Sequence, residues 1–119
     1  MKLIEGVVSK IFRKSVNVVY LDNLYLSDSL SADKLPELKK KIERGKGSVC
    51  LLLKSDNKDD CLDIVTPFQL RMKVWEGKSP VCIGIADSKD SAPDLVETII
   101  RDCLEKYGRA ELKEYICSL

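Results

Sequence analysis

Residues 80–108 read PVCIGIADSKDSAPDLVETIIRDCLEKYG, and this stretch decides the fold. Val81-Cys82-Ile83-Gly84-Ile85-Ala86 is an unbroken run of apolar and small residues, the pattern of a strand buried on both faces. Asp87-Ser88-Lys89-Asp90-Ser91 interrupts it with turn formers. Ser91 is placed to cap a helix, because its hydroxyl can accept a bond from a free first-turn amide. Pro93 falls in that first turn, where its missing N–H costs nothing, and Asp94 adds negative charge at the positive helix end.

Leu95, Val96, Ile99, Ile100, Cys103, Leu104 and Tyr107 then recur at helical spacing, which predicts a helix over 91–107 with one broad apolar face. Glu97/Arg101 and Asp102/Lys106 are four apart with the acid first, the favourable orientation for exposed pairs. Gly108 supplies the stop. Burial of that face about offsets the cost of ordering its backbone, so the helix persists only when docked on a sheet.

Outward from this unit, the second continuous apolar run is Val49-Cys50-Leu51-Leu52-Leu53 within 48–54, expected to be another central strand. The polar loop 55–60 follows, and Cys61 to Val65 reads as its hairpin partner. Thr66-Pro67-Phe68-Gln69 gathers an N-cap threonine, a first-turn proline and a glutamine placed to close a capping box. A helix over 67–76 is predicted, closed by Gly77, with Phe68, Met72 and Trp75 sharing a face.

Residues 2–12 are rich in Ile, Val and Leu and read as a strand. Val16 to Leu21 is β-rich again, Asp22-Asn23 suits a hairpin turn, and Leu24-Tyr25-Leu26 would return, giving an N-terminal antiparallel meander. Asp33 could cap a helix that has Pro36 in its first turn, a thin stripe of Leu35, Leu38 and Ile42, and Gly45 and Gly47 at its end. A short terminal helix is predicted over 110–116. The expected fold is therefore one α+β domain, a mixed sheet of four to five strands with an N-terminal meander and two to three helices packed on it.

The chain has 119 residues, 45% of them hydrophobic and 33% charged, with a net charge of +1, which suits a single globular domain. That balance makes nucleic acid an unexpected partner, although Lys39, Lys40, Lys41, Arg44 and Lys46 form a basic run over 39–46. No segment has the apolar length of a membrane helix, and the N-terminus lacks the apolar core of a signal peptide, so a cytoplasmic location is expected.

The chain contains no histidine, which excludes Ser-His-Asp and Cys-His catalysis and every histidine metal site within one chain. The five cysteines, 50, 61, 82, 103 and 117, are too scattered for a four-thiolate zinc site and read as free thiols. Cys61 sits among acids, not beside the base or positive field that a thiol nucleophile needs. Residues 56–60 resemble no calcium loop, because Lys58 takes the third position and the glycine and distal glutamate are missing.

No catalytic residue, metal site or cofactor is therefore expected. The leading expectation is a non-enzymatic interaction or regulatory module that associates with itself or a protein partner, with Trp75 as the interface anchor. The alternative is a small-ligand or Mg-phosphate-binding protein. If strands 48–54 and 81–86 are parallel neighbours, loops 55–60 and 87–91 leave the same sheet edge and bring Asp56, Asp60, Asp87, Ser88 and Asp90 together. Nucleic-acid contact through the run 39–46 is the weaker alternative.

Overall fold

A computed structural model describes residues 16–55, 61–109 and 111–119. Its elements are β1 (Val19–Leu26), α1 (Leu35–Glu43), β2 (Cys50–Lys54), β3 (Leu62–Val65), β4 (Val81–Ala86), α2 (Ala92–Tyr107) and α3 (Leu112–Ser118). The strands form a mixed four-stranded sheet in the order β1-β4-β2-β3, and the fold is α+β. The two apolar runs, β4 and β2, occupy the centre of the sheet as their composition requires.

Side chains of the central strands alternate between two cores. Cys50 and Leu52 of β2 join Ile83 and Ala86 of β4 beneath α2 and α3, with Leu95, Ile99, Cys103 and Ile116 packed on them. Leu51, Leu53, Cys82 and Ile85 face the other way, against Ile42 of α1 and Leu70. The thin stripe expected of α1 is what is seen, since Ile42 alone among its residues is fully buried. Among the cysteines, Cys50, Cys82 and Cys103 are buried free thiols.

Several local expectations are corrected. Residues 19–26 do not turn at Asp22-Asn23; they form one strand, parallel to β4, whose register slips between Tyr20 and Tyr25. The slip absorbs the polar pair without a reversal, and Tyr20, Leu24 and Leu26 still share one core while Leu21 and Tyr25 share the other. The meander is thus not formed by these residues, and its first expected strand, 2–12, lies outside the described residues. The helix expected over 67–76 is two 3₁₀ turns, Gln69–Arg71 and Lys73–Trp75, separated by Met72 in extended conformation. The expected capping box does form: the Thr66 N–H donates to Gln69 Oε1 at 2.8 Å and the Gln69 N–H to Thr66 Oγ1 at 3.3 Å. A start signal is therefore present without propagation.

The helix over 91–107 is borne out as α2, but its cap lies three residues earlier than expected. Ser91 is already in helical conformation and makes no side-chain bond to the first turn. Instead the Ser88 N–H donates to Ser91 Oγ at 3.1 Å and the Ser91 N–H to Ser88 Oγ at 3.2 Å, a reciprocal box with Ser88 in the capping role. Gly108 ends the helix in left-handed conformation, its N–H bonded to the Leu104 carbonyl at 2.7 Å. Leu104 is exposed, not part of the buried face. Asp33 lies in a 3₁₀ turn leading into α1 and makes no side-chain cap. The terminal helix falls at 112–118, two residues later than its pattern suggested.

Candidate functional site

β1 and β4 are parallel neighbours, so their carboxyl ends leave the same sheet edge. The segments after them, Ser27–Ser29 and Asp87–Ser91, meet there beside the first turn of α2. Between them lies a cleft of about 400 Å³, lined by Asp28, Asp87, Asp94, Ser29, Tyr25 and Thr98 among others. Asp87 holds its mouth together. Its carboxylate accepts bonds from the Ser29 and Ser91 hydroxyls, and its N–H donates to Ser27 Oγ at 3.1 Å. Those hydroxyl bonds hold the Asp87 carboxyl below the usual carboxylate range.

Of the residues expected to gather at a phosphate or magnesium site, Asp87 and Ser88 sit at this cleft edge, Asp87 lining it and Ser88 engaged with Ser91, while Asp90 is exposed. Asp56 and Asp60 lie outside the described residues. The premise that joined them to Asp87 is corrected: β2 pairs antiparallel with β4, Cys50 opposite Ala86, because 62–65 returns as a hairpin partner. The end of β2 that leads to residues 56–60 therefore points to the opposite edge from Asp87. Among the described residues no three acidic or thiol side chains are grouped to hold a metal ion.

The second notable surface is the connection from β3 to β4. Phe68, Met72 and Val74 of the connection are 50%, 43% and 66% exposed and Ile64, at the end of β3, is 46% exposed, so four of the six large exposed apolar side chains among the described residues fall within residues 64–74. Leu70 alone of its large apolar residues is fully sunk into the core. Trp75 is half-buried, with Lys78 Nζ 5.6 Å above its ring. Beside it opens a smaller cleft of about 180 Å³, formed with Lys54, Lys78, Pro80 and Val81. Lys54 Nζ donates to the Leu119 carbonyl oxygen at 2.7 Å from there.

Sequence reasoning put Phe68, Met72 and Trp75 on one face of a helix and singled out Trp75 alone as an interface anchor, whereas Phe68, Met72 and Val74 are all exposed. The missed signal is the alternation Met72-Lys73-Val74-Trp75, which fits no single helical stripe. On the basic run, Lys40, Lys41, Arg44 and Lys46 are exposed, interleaved with Glu37 and Glu43. Lys39 is drawn out of that row, its Nζ 4.6 Å above the Tyr20 ring.

No helix among the described residues is long and apolar enough to cross a membrane. Comparison with protein-family models, curated proteins and solved structures finds no match for this chain.

Proposed function

We propose that the protein is a non-enzymatic interaction module that docks a protein partner on the segment 64–78. What carries the reading is the crowding of Ile64, Phe68, Met72 and Val74 at the surface of one short segment. Such crowding marks interaction sites, whereas single exposed apolar residues are ordinary. Trp75 supplies the large, partly desolvated ring that interface anchors favour. The test is site-specific photo-crosslinking in the native host, with the photoreactive residue at position 68 or 74 and, as control, at position 101. A discrete adduct from 68 and 74 but not from 101 supports the module. Equal labelling from all three positions, or none, removes it.

The cleft of about 400 Å³ favours a second reading, a small ligand held at the β1/β4 edge. Its carboxylates Asp28, Asp87 and Asp94 repel a bare phosphate, so the ligand would be cationic or bridged by Mg²⁺. Thermal stabilisation by Mg²⁺ with a nucleotide, lost in Asp87→Asn, is the expected sign. An unchanged melting temperature discards this reading.

A further inference from the structure

We infer that the occupant of the 64–78 surface is an acidic polypeptide segment with apolar anchors, an inference that rests on the interaction reading above. The surface combines two chemistries. Its apolar side chains are Ile64, Phe68, Met72 and Val74, all exposed. Its exposed charges are Lys73 and Lys78 against the single carboxylate Glu76, while Arg71 is half-buried over the Phe68 ring. Among the described residues no carboxylate pairs with Lys73 or Lys78; the two ion pairs there are Arg101–Glu97 and Arg109–Glu111.

Lys78 stands over the Trp75 ring at the lip of the cleft of about 180 Å³, with Lys54 across it. An apolar side chain of the partner enters beside Trp75 while a neighbouring carboxylate meets the Lys78 ammonium, so one short segment satisfies both chemistries. A second copy of this chain fits less well. In an isologous dimer the same net-positive patch faces itself, and like charges across an interface are costly. Docking of the patch on the acidic edge around Asp28, Asp87 and Asp94 of another copy is heterologous, so it gives a ring or an open chain and no isologous dimer.

The probe is a random short-peptide library displayed on phage, panned against the whole protein. Binding of selected peptides is then read by the emission of Trp75, the one tryptophan in the chain. The expected result is enrichment of peptides that carry several carboxylates beside Leu, Phe or Trp, with a saturable change in Trp75 emission. The double variant Lys73→Glu, Lys78→Glu lowers their affinity by about tenfold, and added salt weakens binding in the wild type. Enrichment without acidic bias, affinity untouched by the double variant, or no enrichment overturns the inference. An adduct of twice the chain mass from position 68 would also overturn it in favour of a second copy. Crosslinking at 68 to a partner that binds through a basic or neutral segment sinks this inference and leaves the interaction reading standing.

Discussion

The Tyr25 hydroxyl donates a 2.7 Å hydrogen bond to the Asp102 carboxylate, tying strand β1 to the middle of α2 across 77 residues of sequence. The Tyr115 hydroxyl completes the group at 2.6 Å from the Tyr25 hydroxyl, so β1, α2 and α3 meet at one polar point beside the core. Asp102 had the spacing for an exposed pair with Lys106. Lys106 instead lies 5.4 Å and 5.7 Å above the rings of Tyr107 and Tyr115. Tyr25→Phe removes a charge-assisted bond and should cost about 1–2 kcal/mol in urea unfolding. Tyr115→Phe leaves the Tyr25–Asp102 bond in place and should cost less. Equal stability of Tyr25→Phe and wild type would show that the bond adds nothing.

Gly84 makes that arrangement possible. A Cβ there would lie 3.0 Å from both Cβ and the carbonyl oxygen of Tyr25 and 3.3 Å from Leu95 Cδ2. Two of those neighbours belong to the β1 backbone region and cannot swing aside. Gly84→Ala should therefore destabilise by about 1–3 kcal/mol, measured by denaturant midpoint at unchanged slope. A gain in stability would mean that β1 can move off without loss.

Asp87 gives the acid limb of stability a specific origin. Its carboxyl titrates below the usual range in the folded chain because the Ser29 and Ser91 hydroxyls donate to it. A group with a lowered folded value contributes stability above its unfolded pKa of about 3.9 and loses it as pH falls through the lower folded value. Melting temperature followed from pH 6 downward, within that window of about 4 and below, should fall less steeply in Asp87→Asn than in wild type. Parallel curves would assign the acid transition to other carboxyls.

The thiols should react in an order fixed by burial. Cys117 is exposed, Cys61 is half-buried, and Cys50, Cys82 and Cys103 are buried. A thiol reagent should label Cys117 first and the buried three only on unfolding. Burial pushes the Cys82 thiol up to about 12, and in its protonated form the thiol donates to the Gly84 carbonyl at 3.2 Å. Because the folded value is raised, its contribution is intact below the ordinary thiol range and is lost as pH rises toward about 12. Thiolate absorbance of the folded protein at pH 10 should show Cys82 still protonated. Rapid labelling of Cys82 in the native state would contradict the packing.

Docking and folding separate cleanly within one connection. Phe68→Ser and Val74→Ser alter exposed side chains and should leave stability within about 0.5 kcal/mol of wild type. Leu70→Ala, two residues from Phe68, empties a fully buried site and should cost about 2–5 kcal/mol. Comparable losses at all three positions would mean that Phe68 and Val74 hold the fold as well.

What could be read in the chain was what its neighbours in sequence decide. The run Val81–Ala86 and the spacing of Leu95, Ile99 and Cys103 report burial directly, so β4 and α2 were legible. The partnering of strands was not. Whether β2 lies parallel or antiparallel to β4 depends on the return through Leu62–Val65, and the site imagined across their carboxyl ends dissolved with that orientation. Asp22-Asn23 has the chemistry of a turn and also that of a register slip; packing of Leu21 and Tyr25 on the core beneath α2 and α3 selects the slip. At 66–76 the local start signal was read correctly, but the segment breaks at an extended Met72 after one 3₁₀ turn while Leu70 is buried, so Phe68 and Met72 lie at the surface. The cap at Ser88 was hidden because Ser91, nearer the apolar period, has the same side chain.

The sheet order carries a consequence for synthesis. β1 leaves the ribosome before every other described strand, yet among those strands its partner is β4, the last of them to emerge. The β2–β3 hairpin can close early, whereas β1 must wait for its one partner among the described strands until Val81–Ala86 arrives. The nascent chain thus passes through an interval in which β1 lacks its β4 partner, when a chaperone finds that edge most accessible.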